Sequence, residues 1–131
     1  MNRKILIVDD DAHIRALIEI TLESLEDEGV VLLTADNGTE ALEIIHAERP
    51  DLVFLDAMMP EPDGFAVCRQ VKQVEECRDI VMVMLTAKGQ AFDRHRATAV
   101  GVDRYLTKPF DPDRLLAVAR EVLQAGPGEV E

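Results

Sequence analysis

Five short stretches of the chain are rich in apolar and β-branched residues. They are Lys4-Ile-Leu-Ile-Val8, Val30-Val-Leu-Leu-Thr34, Leu52-Val-Phe-Leu55, Ile80-Val-Met-Val-Met-Leu85 and Arg104-Tyr-Leu-Thr107. The first four are nearly continuously apolar instead of alternating, the pattern of strands covered on both faces of a parallel sheet. The fifth is defined mainly by its place in the alternation. Between the runs the apolar spacing changes to the helical period. Ile14, Leu17, Ile18, Leu22 and Leu25 form one stripe. Asn37 with Glu40 is a capping-box start for a second helix carrying Ala41, Leu42 and Ile45 and ending at Pro50. Phe65, Cys68, Val71 and Val74 share a face of a third. A fourth covers about residues 91–100, with Gly101 as its stop. The fifth opens on Asp111 as N-cap and Pro112 at the first helical position, and packs through Leu115, Leu116, Ala119, Val122 and Leu123. Five βα units with right-handed crossovers put helices on both faces of a parallel sheet, an α/β fold.

A length of 131 residues suits one domain. It is expected over residues 1–124, with 125–131 (Ala-Gly-Pro-Gly-Glu-Val-Glu) as a flexible tail or the start of a linker. Apolar residues at 47% and charged ones at 31% exclude a disordered chain. With 26 acidic residues against 14 basic, the formal charge of −12 repels phosphate backbones, so nucleic-acid binding by this chain is not expected. No apolar run approaches the roughly 20 residues of a membrane helix, and no secretory leader is read. The expected location is the cytoplasm, away from membranes, with Cys68 and Cys77 as reduced thiols and Cys68 a core filler.

In open α/β sheets ligands bind beyond the carboxyl ends of the strands. Asp9, Asp10 and Asp11 follow the first run, Asp56 the third, Thr86 and Ala87 the fourth, and Lys108 and Pro109 the fifth. A single aspartate at such a position is as readily a helix cap, the role read for Asp11. Jointly, the acids need a counter-charge, and oxygen-only ligands suit Mg²⁺ or Mn²⁺. The cation would leave one carboxylate free to act as nucleophile, with Lys108 and Thr86 stabilising a phosphoryl group.

At these residues the sequence resembles the receiver domain of bacterial two-component response regulators, along Lys4 to about Gln124. Val8-Asp9-Asp10 is similar to the family's acidic pair. Leu55-Asp56 with Met59-Pro60 and Asp63-Gly64 is similar to its phosphoacceptor loop, Leu85-Thr86-Ala87 to its switch-hydroxyl motif, and Leu106-Thr107-Lys108-Pro109-Phe110 to its lysine motif. The resemblance implies a flavodoxin-like, doubly wound five-stranded sheet of order 2-1-3-4-5, which sets Asp9 and Asp10 beside Asp56. It implies Asp56 as phosphoacceptor, Asp10 and Asp56 as direct Mg²⁺ ligands with the Met58 carbonyl as a third, and Asp9 in support. It also implies Lys108 paired with the acceptor, Thr86 and the Ala87 N–H holding phosphoryl oxygens, and Tyr105 as the switch aromatic.

The implied partners are a sensor histidine kinase or phosphotransfer domain, a downstream effector or output domain, and a second copy as a phosphorylation-dependent dimer. The implied activity is self-phosphorylation and self-dephosphorylation, not turnover. Met58 is apolar where many receivers carry a polar side chain, and Lys88 stands where side chains tune water access. His13, His46 and His95 have no ligand spacing. Arg94, His95 and Arg96 read as a solvated helix face, and Met82 and Met84 as core. A haloacid-dehalogenase-like phosphatase is a weaker alternative: Asp9-Asp10-Asp11 has its DxD spacing, but His13 stands where that family places Thr or Val. A phosphorylation-independent adaptor would be expected to lack part of the residue set.

Overall fold

A computed structural model describes residues 3–87 and 94–125. Five strands, β1 (Lys4–Val8), β2 (Val31–Ala35), β3 (Leu52–Asp56), β4 (Val81–Ala87) and β5 (Arg104–Lys108), alternate with five helices, α1 (Ala12–Glu26), α2 (Gly38–Glu48), α3 (Gly64–Gln73), α4 (Arg94–Val100) and α5 (Pro112–Ala125). All strand pairs are parallel and the order is β2-β1-β3-β4-β5, the order implied by the resemblance.

Alternation along the central strands sorts side chains to two faces. Ile5, Ile7, Leu52, Phe54, Val83 and Leu85 pack with Ile18, Leu22, Leu25 of α1 and Leu115, Val118, Val122 of α5. Leu6, Val8, Val53, Leu55, Met82 and Met84 pack with α2, α3 and Ala97 of α4. The two methionines are therefore core, as their spacing suggested. Cys68 and Cys77 are free and buried. Burial pushes the Cys68 thiol up to about 12, and it donates to the Val100 carbonyl at 3.4 Å, so its part is packing, not reactivity.

Short polar side chains start the helices. Asp11 Oδ1 accepts from the His13 and Ile14 N–H groups, and Asn37 from Glu40 N–H. Asp63 accepts from Ala66 N–H and Asp111 from Asp113 N–H. Gly101, at φ +88, turns the chain out of α4.

Three details depart from the sequence reading, and a fourth explains the weak pattern of the fifth strand. β2 begins one residue late because the Val30 N–H bonds the Leu25 carbonyl and closes α1 instead of entering the ladder. Leu17 is 43% exposed, while Ile14, Ile18, Leu22 and Leu25 pack onto the core as the stripe predicts. A 3-10 turn, Glu75–Cys77, joins α3 to β4. β5 is polar because it is an edge strand with β4 as its one neighbour; Leu106 is its buried residue. Part of the predicted span of the fourth helix, residues 91–93, lies outside the described residues, as does Lys88.

Candidate functional site

Parallel pairing of β1 with β3 sets Val8 against Leu55. The next residues of each chain segment, Asp9 and Asp56, therefore emerge side by side. Asp56 and Lys108 are the last residues of β3 and β5, and Thr86 is the last but one of β4, with Asp56 registered against Leu85 and Thr86 against Thr107. The ladder thus fixes the backbone of all three, which loops would not do.

Asp9, Asp10 and Asp56 each offer a carboxylate oxygen within 4.8 Å of the others. Asp9 is fully buried. Its Oδ1 accepts from Asp11 N–H at 2.9 Å and its Oδ2 from Lys108 Nζ at 2.7 Å. Asp10 is exposed. Asp56 is 6% exposed. Its Oδ1 accepts from Met58 N–H at 3.1 Å and lies 3.3 Å from Lys108 Nζ. One ammonium thus serves two buried acids. Burial, and then the Asp9 charge, push the Asp56 carboxyl up to about 6 against the pull of Lys108. Burial disfavours the Lys108 ammonium, but the hydrogen bond to Asp9 and the nearby Asp56 charge hold it above the usual lysine value.

Three carboxylates with one solvent-facing member form an oxygen-only donor set that can hold a hard divalent cation. The sequence matches the response regulator receiver domain family over residues 5–120. The chain belongs to that family. Receiver domains are the phosphoacceptor switches of two-component systems. This receiver is 41% identical to the alkaline phosphatase synthesis transcriptional regulatory protein PhoP of Bacillus subtilis over 124 residues, 95% of this chain and 50% of that protein. It is 41% identical to the phosphate regulon transcriptional regulatory protein PhoB of Pseudomonas aeruginosa over 132 residues, 100% of this chain and 56% of that protein. The chain therefore spans about half the length of these curated relatives. The chemotaxis protein CheY4 of Vibrio cholerae superposes with a TM-score of 0.81 at 32% identity, covering 93% of this chain and 99% of that one. No helix among the described residues is long and apolar enough to cross a membrane.

The remaining sequence candidates of the receiver lie on β4, β5 and the segment after β3. Thr86 is 7% exposed and its Oγ1 donates to the Leu106 carbonyl at 3.4 Å, toward β5. Ala87, half-buried, pairs with Lys108. Tyr105 is 41% exposed and Met58 59% exposed. Asp11 caps α1, and His13, His46 and His95 are exposed and outside the cluster.

Two features escaped the sequence reading. Arg15, half-buried one turn into α1, donates through Nη1 to the Asp9 carbonyl at 2.7 Å. Arg96 is not merely solvated: its Nη2 lies 3.2 Å from Asp63 Oδ2, and its guanidinium sits 4.2 Å over the Phe65 ring. An arginine i+4 from an N-cap aspartate was visible as spacing, but its target is a backbone oxygen, which no side-chain pattern reveals. The Asp63-Gly64 pair was read as motif. Its steric reason is that a Cβ on Gly64 would collide with the Asp56 carbonyl oxygen, the Ala57 Cα and the Met84 Sδ.

The raised Asp56 value fixes a pH dependence. The folded protein holds this proton more tightly than the unfolded chain, whose carboxyl titrates at the ordinary 3.8. Its contribution to stability is full below about 3.8 and is lost as pH rises through about 6. Asp56→Asn is therefore expected to stabilise the metal-free protein at pH 7 by on the order of 2 kcal/mol, with little gain at pH 4. Urea melts of both proteins at the two pH values check this; equal gains at both would refute it.

Proposed function

We propose that Asp56 takes a phosphoryl group from the phosphohistidine of a sensor kinase or phosphotransfer domain. An Asp56 carboxylate oxygen attacks phosphorus, the N–P bond breaks, the electron pair returns to the imidazole, and an acyl phosphate remains. Water later attacks that phosphorus, releasing phosphate and restoring the carboxylate. The observation that carries this reading is the Asp9, Asp10 and Asp56 cluster with Lys108 bonded between Asp9 and Asp56.

Asp10, Asp56 and the Met58 carbonyl would hold Mg²⁺, or Mn²⁺, with Asp9 in support; the cation supplies charge neutralisation for transfer between anions. Lys108 compensates charge on the acceptor and then on the phosphoryl oxygens. Thr86 Oγ1 and the Ala87 N–H take further oxygens, and Tyr105 follows Thr86. This local contact would bias a two-state surface of α4, β5 and α5. That surface would then engage an effector, an output domain or a second copy. In this reading the chain is no turnover enzyme and works in the cytoplasm. The receiver is taken as residues 1–124 and 125–131 as a tail or the start of a linker, with α5 running one residue past that boundary to Ala125. Its −12 charge leaves any nucleic-acid contact to another segment or partner.

Incubation with a phosphohistidine donor or a small phosphodonor is expected to add one phosphoryl group, with Mg²⁺ required, as read by intact mass. Beryllofluoride is expected to shift amide NMR signals of Tyr105 and α4 more than those of α1 and α2. Continuous turnover of a phosphate ester would favour the phosphatase alternative. Shifts confined to the Asp56 loop would remove the switch.

A further inference from the structure

We infer that Arg15 is a positioning residue for the cation site: it holds the peptide joining Asp9 to Asp10 so that the Asp10 carboxylate faces the cluster. The inference rests on the Mg²⁺ site proposed for Asp9, Asp10 and Asp56. Every polar atom of Asp9 is bonded. Its N–H reaches the Ala35 carbonyl at 3.3 Å, its Oδ1 takes Asp11 N–H and its Oδ2 takes Lys108. Its carbonyl oxygen takes Arg15 Nη1 at 2.7 Å.

That carbonyl belongs to the same planar unit as the Asp10 nitrogen, so fixing the oxygen fixes the direction in which Asp10 leaves. The β1–β2 ladder has already ended, at Val8 against Ala35. Asp10 itself is exposed, so its aim depends on its backbone. Arg15 is in turn anchored by the helix, its own N–H bonding the Asp11 carbonyl at 3.0 Å, directly behind the Asp11 cap. The cap, the first turn of α1 and the metal-facing aspartate therefore form one rigid unit.

Charge and position make opposite predictions. Arg15 is a cation beside a cation site, so if charge alone mattered, removing it would tighten Mg²⁺ binding. If it positions Asp10, removing it weakens binding despite the relief of repulsion. Groups that orient metal ligands typically contribute 10–100-fold in affinity.

Calorimetric titration with MgCl₂ of the unaltered protein, Arg15→Met and Arg15→Lys separates the two. Arg15→Met keeps length without charge or donor and is expected to bind about tenfold more weakly, while Arg15→Lys stays within about threefold of the unaltered protein. Melting temperatures in EDTA are expected to fall by no more than about 4 °C for either variant. Unchanged or tighter binding by Arg15→Met overturns the inference. So do equal losses in both variants that track a lower melting temperature, which would reduce Arg15 to a support of α1. Failure of the unaltered protein to bind Mg²⁺ would instead overturn the metal site itself.

Discussion

Asp56→Ala is expected to take up no phosphoryl group, its labelling by a small phosphodonor in Mg²⁺ falling to background. No neighbour can substitute. Asp9 is fully buried with both carboxylate oxygens bonded, one to a backbone N–H and one to Lys108. Asp10 is exposed and, in the proposed site, its carboxylate is taken up as a ligand of the cation. Asp56 differs from Asp9 in that the Met58 N–H and Lys108 both fall on one oxygen, Oδ1, which leaves Oδ2 for attack. Burial and the Asp9 charge raise the proton affinity of Asp56, and Lys108 opposes that rise from 3.3 Å away. Intact mass and peptide mapping check this, and stoichiometric labelling of the variant would place the acceptor elsewhere.

The second large effect separates adjacent aspartates. Asp10→Ala removes a direct anionic ligand and is expected to weaken Mg²⁺ binding by at least about 100-fold. Asp11→Ala is expected to leave Mg²⁺ affinity within about threefold, well short of what a lost ligand costs. It should destabilise the fold by about 1 kcal/mol, because its carboxylate caps the His13 and Ile14 N–H groups. Titration and thermal melts of the two variants should give opposite patterns. Matching metal losses would show that the acidic pair is Asp10 and Asp11.

Much of this was legible in the sequence because the governing physics is local. Strand-length apolar runs, the three N-caps Asp11, Asn37 and Asp111, and Gly101 each act within a few residues, and the elements they define are present. Where the reading fell short, the cause was a contact between distant segments. Leu17 satisfied the helical period, yet at 43% exposed it lies at the margin of the stripe. Arg96 read as solvated because its partners, Asp63 and Phe65, lie on another helix. The site residues could be named from strand ends, but the division of Lys108 between Asp9 and Asp56 depends on three-dimensional distances, and so does the resulting shift of Asp56.

The sheet separates two packed interiors, one against α1 and α5, the other against α2, α3 and α4. The two interiors are built from different side chains, separated by the sheet backbone, and substitutions in groups that share no partners combine additively. A lineage can therefore redraw one flank for a new acquaintance while the opposite flank keeps its inherited fit. Drift on either side leaves the shared row of strand ends in place as long as it spares the few helix residues that touch that row, Arg15 on α1 and Gly64 on α3. Such a layout suits a domain that must diversify its company without relearning its chemistry.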